Sequence, residues 1–326
     1  MSAPIAWLVD PWPGAEGGGD GHDAAGGKPL LPCRRPAAAS GAPPPPPTAA
    51  AWLPSGRWGH PDQLALPLSD RGLLLADGLF ETVLVEAGQP RLLSEHLSRW
   101  SASARLLAMA PPPTTARLRP AIAEAVERSG ITDGALRLNW SRGSGGPHSR
   151  GLDLAAAGSP QPAHRFWLQL TPWRPLFSAV HVIVSPTERR CATSLLSRCK
   201  TFAYGAAIQA RRQAHAAGAD DALLPSTAGG LCCGTVANLL VRRQGRWLTP
   251  PLSSGCLPGV MRRRALELNL AAEAEMPIAA AWLGDGGVSA ALLLNSLGCR
   301  PISHCAGVPL QPIGPAEAEG FWRSLL

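Results

Sequence analysis

Lysine is almost missing from this sequence: of 30 Lys plus Arg, only Lys28 and Lys200 are lysine. Arginine fills nearly every role that positive charge alone can satisfy. Lys200 is therefore the one place beyond the N-terminal head where an amine able to lose its proton and condense with an aldehyde is kept. Aromatic residues are also few, with one tyrosine and five phenylalanines. A net charge of +7 and a pI near 9.3 thus come without the stacking residues of a nucleic-acid surface, and the scattered arginines suit a small anionic substrate better.

Long apolar runs are absent, so no segment is expected to span a bilayer. The first residues carry Asp10, Glu16, Asp20 and Asp23 instead of a basic segment followed by an apolar stretch, which argues against a secretory leader and for a cytoplasmic protein. No Cys-x-x-Cys pair occurs among the eight cysteines, which read as reduced thiols, with the neighbours Cys232 and Cys233 buried. Cys299, His304 and Cys305 share one short stretch without a fourth ligand, so no metal is expected. Neither Gly-x-Ser-x-Gly nor His-Glu-x-x-His is present.

What remains is enough for two domains: 326 residues, 45% of them hydrophobic. Residues 1–50 concentrate proline and glycine, as in Gly17-Gly18-Gly19 and Pro43 through Pro47, and read as a disordered head. Residues 51–171 read as an N-terminal α/β domain. Val83–Val85, Leu136–Trp140 and Phe166–Leu170 have strand character, while Leu93, Leu97, Trp100, Ala104 and Leu107 recur at helical spacing with Ser94 as a candidate cap. The Pro-containing passage from Thr171 to Pro175 suggests a linker over 172–178. A C-terminal α/β domain follows over 179–326, with strands at Val180–Val184, Ala222–Leu224 and Leu239–Val241. Its helices are expected over Ala203–Ala217, ending at Gly218, and after Pro258-Gly259.

Several ordered motifs carry a resemblance. Asp70-Arg71-Gly72 through Asp77-Gly78-Leu79-Phe80-Glu81-Thr82 is followed by Glu95-His96-Leu97-Ser98-Arg99-Trp100. Then come Lys200-Thr201-Phe202-Ala203-Tyr204, Ala217 through Leu224, Asn238-Leu239-Leu240, Thr249 through Gly259 and Asn295-Ser296-Leu297. Together they resemble the class IV aminotransferase family over about residues 52 to 310. The resemblance implies a two-domain α/β fold of type IV with pyridoxal 5'-phosphate (PLP) in the cleft between the domains, and a homodimer.

Residue by residue, Lys200 resembles the lysine that carries PLP as a Schiff base and moves protons at the substrate. Arg99 resembles the phosphate-binding arginine. The helix start at Val260 and Met261 offers backbone amides to the same phosphate, and Ser296 matches a phosphate-contact position. Phe80 falls on the substrate side. Tyr204, the sole tyrosine, stands either beside the cofactor or packed with its hydroxyl satisfied elsewhere. The departure from the family pattern is Cys233, which stands where relatives have a glutamate paired with the pyridine nitrogen. A thiol cannot supply that charge. Ser141 through Gly146 resembles the glycine-rich loop of 4-amino-4-deoxychorismate lyases and offers Arg142 or Arg150 for a substrate carboxylate. That lyase activity is the expected one, with a branched-chain or D-amino-acid aminotransferase, or a PLP-binding protein impaired by Cys233, as alternatives.

Overall fold

Residues 78–86 alternate in what they bury, and that alternation organises the first half of the molecule. The computed structural model describes residues 3–9, 56–144 and 164–326. Its first sheet contains β1 (Ile5–Val9), β2 (Arg57–Gly59), β3 (Gly78–Glu86), β4 (Gln89–Pro90), β5 (Gly134–Ser141) and β6 (Arg165–Pro172), in the order β2-β1-β6-β5-β3-β4. Every pairing in it is antiparallel. Leu79, Val83 and Val85 of β3 and Leu136, Leu138 and Trp140 of β5 share a core with Leu97, Trp100, Leu118 and Ile122. Those last four come from α2 (Leu93–Leu106) and α3 (Thr115–Ser129), which follow the short α1 (Arg71–Leu75). With a period of two, Phe80, Thr82, Leu84 and Arg137 are left to the opposite face, which looks toward the second half.

That second half is built on β7 (Val180–Val184), β8 (Asp221–Pro225), β9 (Leu231–Gly234), β10 (Asn238–Arg243), β11 (Arg246–Thr249), β12 (Ala272–Glu273), β13 (Ala290–Asn295), β14 (Gly298–Cys305) and β15 (Val308–Pro309). The order is β12-β11-β10-β13-β14-β7-β8-β9, with β15 on β14. Because β9 also pairs with β10, at Cys233 opposite Asn238, the path closes on itself. Val180, Leu223, Leu239, Val241, Leu293 and Ile302 fill the inside. Three helices cover the outside: α4 (Gly205–Ala216) against β8, α5 (Val260–Glu267) against β13, and α6 (Pro315–Arg323) against β14. Among the described residues no helix is long and apolar enough to cross a membrane.

The halves are joined by more than chain continuity. Leu84 from the outer face of β3 packs in one cluster with Leu292 and Trp322, and truncating such a buried leucine costs about 2–5 kcal/mol. The backbone of Lys200 is held against β3, its carbonyl accepting from Phe80 N at 2.9 Å while Phe202 N donates to Gly78 O at 3.0 Å. Gly78 permits this approach, since a Cβ there would lie 2.1 Å from the Phe202 ring. The segment between β6 and β7 runs along the second half, with Trp173 Nε1 donating to Leu297 O at 3.4 Å and Leu176 N donating to the same carbonyl at 3.1 Å.

Three sequence expectations need correction. The head was expected to be disordered over 1–50, yet Ile5–Val9 is a strand between β2 and β6 with Trp7, Leu8 and Val9 buried. An apolar run of five is enough to pair once β6 presents a partner. Residues 10–50 lie outside the described residues. Ser94 does not cap α2: the cap position is Leu92, in a left-handed conformation with no side-chain bond, and Ser94 Oγ donates to Glu95 instead. Finally, α4 begins at Gly205, after the Lys200 segment has finished pairing with β3. The seven described cysteines are free thiols.

Candidate active site

A cavity of about 690 Å³ opens between the two halves, lined by Phe80, Arg99, Arg137, Lys200, Tyr204, Cys233 and Ser296 among others. The fold brings Val260 and Met261 to the same cavity. Six arginines and Lys200 line it against one carboxylate, Asp221, so the cleft favours an anion. Asp221 is itself committed, accepting from Thr235 Oγ1 at 2.5 Å and from Arg211 at 3.1 Å.

One end of the cavity is a closed network. Glu81 points to the helix-facing side of β3, where Arg99 Nε and Nη2 meet its two oxygens at 2.8 and 2.5 Å and His96 Nδ1 lies 2.7 Å from Oε2. Burial pushes the Glu81 carboxyl up, but Arg99 and His96 outweigh it and hold it down at about 2. Burial also lowers His96 from its usual value, against the pull of Glu81. Ser296 Oγ stands 3.2 Å from His96 Nε2, and Arg99 Nη1 reaches Pro258 O at 3.3 Å.

That last bond ties the network to the start of α5, whose cap residue Gly259 offers no side chain to the first-turn amides. Gly259 is required by close approach, because a Cβ there would fall 1.9 Å from Asn238 Oδ1. Asn238 in turn donates to Leu257 O at 2.9 Å. The amides of Val260 and Met261, the Arg99 guanidinium and the Ser296 hydroxyl line this part of the cavity, a donor set that fits a phosphate. Met261 contributes backbone only, since its side chain is buried.

The other end is built around Phe80. Arg137 Cζ lies 3.6 Å and Lys200 Nζ 4.3 Å from the centroid of its ring. Lys200 Nζ donates to Tyr204 Oη at 3.0 Å, so the Tyr204 hydroxyl stands at the lysine. Of the Arg137 donors, Nε is committed to Asn139 Oδ1 at 2.7 Å. Burial lowers its pKa, with Tyr204 acting in the opposite sense. A lysine amine at the mouth of an anion-favouring cleft, with a phosphate-type donor set across from it, fits PLP. Cys233 is buried on β9 and lines the same cavity.

Arg142 is a correction. Its side chain is buried, with Nε donating to Asp77 Oδ2 at 2.9 Å and Nη1 and Nη2 donating to the carbonyls of Ala108 and Leu107 at 2.9 and 2.8 Å. It ties off the carbonyl end of α2 and does not line the cavity. Arg150 lies outside the described residues. Asp70 likewise serves the scaffold, capping α1 through Gly72 N at 2.8 Å and accepting from Ser141 Oγ at 2.7 Å. Sequence reasoning assigned no role to Glu81, His96 or Arg137. The signal for Arg137 was present: it is a charged residue between Leu136 and Leu138, whose strand alternation turns it away from the core.

Known proteins share this architecture. The chain is 30% identical over 220 residues to a bifunctional aminodeoxychorismate lyase / D-amino acid transaminase of Mycobacterium tuberculosis, covering 64% of this chain and 74% of that one. It is 28% identical over 218 residues to a D-alanine aminotransferase of Bacillus licheniformis, covering 66% and 73%. Among solved structures, 4-amino-4-deoxychorismate lyase from Pseudomonas aeruginosa superposes with a TM-score of 0.65 at 27% identity, over 81% of this chain and 96% of that one. The pattern of the family described as amino-transferase class IV matches residues 78–305. With that match spanning most of the chain, and with Lys200 facing a phosphate-type donor set, the protein belongs to the PLP-dependent class IV aminotransferase family.

Proposed function

We propose that this chain is a 4-amino-4-deoxychorismate lyase, releasing p-aminobenzoate and pyruvate for folate synthesis. The observation that carries this reading is Cys233 in the cavity wall. Bound PLP supplies an aldehyde for the substrate amine and a ring that draws electrons from the adjacent carbon. Cys233, at the position where relatives carry a glutamate, would offer the pyridine nitrogen no carboxylate partner. Reactions that store a full carbanion on the ring are then disfavoured. An elimination that ends in an aromatic product depends less on such storage, because aromatisation and the leaving group supply driving force.

Lys200 Nζ would take the proton from the carbon bearing the amine, the neighbouring ring carbon–oxygen bond would break, and the same nitrogen would return the proton to the departing enolpyruvate, which leaves as pyruvate. Tyr204 and the Phe80 face hold the Lys200 amine in place. Arg137, with exposed Arg189 at the rim, gives cations for the two substrate carboxylates. Arg99, Ser296 and the amides of Val260 and Met261 hold the phosphate. Exposed Leu68, Leu73, Leu74 and Leu75 form apolar surface suited to a homodimer, and free thiols suit the cytoplasm.

A D-amino-acid or branched-chain aminotransferase is the second reading, favoured by the similarity to the Bacillus licheniformis D-alanine enzyme. The decisive assay gives the purified protein 4-amino-4-deoxychorismate and follows p-aminobenzoate, with D-alanine or a branched-chain amino acid plus 2-oxoglutarate in parallel. Prompt p-aminobenzoate without new glutamate is expected. Glutamate formation alone overturns the lyase reading, and silence in both arms leaves a PLP-binding protein impaired at Cys233.

A further inference from the structure

His96 is enclosed between two partners of opposite demand. Glu81 Oε2 lies 2.7 Å from its Nδ1, and Ser296 Oγ lies 3.2 Å from its Nε2. Glu81 is an ionised acceptor, so Nδ1 carries the hydrogen. With neutral His96, Nε2 has only a lone pair, and the Ser296 hydroxyl must turn its hydrogen toward the ring. A hydroxyl so turned shows an oxygen lone pair to the cleft, the wrong polarity for a phosphate.

Charge balance points the same way. Glu81 on β3 cancels Arg99 on α2, and with neutral His96 the three buried side chains sum to zero. The other charged group acting on His96 is Lys200, ahead of α4, which opposes protonation; from the β13–β14 turn only the uncharged Ser296 hydroxyl faces it. A phosphate dianion set against this neutral cluster calls for a compensating proton, and His96 can accept one. Its Nε2–H then donates to Ser296 Oγ, and the hydroxyl hydrogen swings to the phosphate.

We propose that His96 is a positioning residue that takes up one proton when the cofactor's phosphate binds, reversing the Ser296 hydroxyl so that it donates into the cleft. The inference rests on the PLP site alone and holds whichever reaction the cleft performs.

The test is calorimetric titration of the cofactor-free, full-length chain with pyridoxamine 5'-phosphate, in buffers of different ionisation enthalpy. Pyridoxamine without the phosphate provides the subtraction for changes at Lys200 and the ring. Between pH 7 and 8 the free phosphate is already a dianion, its second pKa being about 6. The expected result is an excess uptake approaching one proton, with affinity for pyridoxamine 5'-phosphate falling about tenfold per pH unit. A ligand titrating by itself would give the opposite slope. His96→Gln, checked for folding by circular dichroism, is expected to abolish the uptake and flatten the pH dependence. Wild-type binding without excess uptake overturns the proposal, as does binding that tightens with rising pH or a phosphate that adds no affinity. Uptake that persists in a folded His96→Gln protein overturns it as well, and if that variant does not fold the wild-type count decides alone.

Discussion

The two ends of the cleft are wired differently. At one end Glu81 engages both Arg99 and His96, and His96 meets Ser296. At the other end Arg137 and Lys200 lie over the Phe80 ring with no carboxylate between them. Both ends owe their placement to β3, whose residue 81 faces the helices while residue 80 faces the cavity. The difference shows how one strand divides labour: the closed network holds the Arg99 side chain in place through Glu81, and the open end keeps its positive charge for a ligand to neutralise.

The largest expected effect comes from removing the amine at the open end. If the proposed lyase reading holds, Lys200→Ala is expected to reduce p-aminobenzoate release by at least about a thousandfold, roughly 4 kcal/mol, because that reading gives Lys200 the substrate proton to move. The protein should also fail to gain a borohydride-stable link to PLP, read by mass spectrometry of the peptide containing residue 200. Thermal stability is expected to stay near wild type, since Nζ contacts only ring faces and the Tyr204 hydroxyl.

The closed end should fail in the opposite manner. Glu81→Gln leaves the buried Arg99 without a counter-charge and is expected to cost about 3 kcal/mol of stability, seen in chemical denaturation. The sign of its pH dependence follows from a folded carboxyl held down at about 2 against an ordinary 4.5. Its contribution is present above 4.5 and is lost as pH falls toward 2. Wild type should therefore lose stability through that window, and Glu81→Gln should lose less. Equal acid sensitivity in the two proteins would break the comparison between a fixed end and an open one.

The contrast also separates what the sequence could reveal from what it could not. The resemblance of ordered motifs picked out Lys200, Arg99, Ser296 and the start of α5, and all of these line one cavity. Glu81 and His96 lie inside quoted motifs, yet their partnership joins a strand to a helix 15 residues on and is set by which face of β3 meets α2. Ile5–Val9 escaped notice because its partner, β6, is distant in the chain and its flanks are rich in glycine and proline. Arg142 was misassigned because a glycine-rich loop suggests access, while the carbonyl end of α2 that captures its guanidinium shows only in three dimensions.

Arg137 sharpens the picture at the open end. With Nε held by Asn139 and the guanidinium over the Phe80 ring, Arg137→Leu is expected to raise KM for a dicarboxylate substrate about thirtyfold, near 2 kcal/mol, with a smaller change in kcat. A monocarboxylate amino acid should be affected less. An equal loss for both would mean that Arg137 shapes the cavity and does not read the second carboxylate.

The smallest effect is expected at Arg142, whose neighbours are all scaffold. Arg142→Met keeps the aliphatic stem but removes donors to Asp77, Leu107 and Ala108. Arg71 still pairs with Asp77, so the carboxylate is not abandoned and the cost should stay at about 1 kcal/mol. The loss should appear as a lower Tm with KM for the anionic substrate unchanged. A raised KM at unchanged Tm would instead assign Arg142 to the open end, and the line drawn between a prepaid frame and a waiting positive charge would have to move.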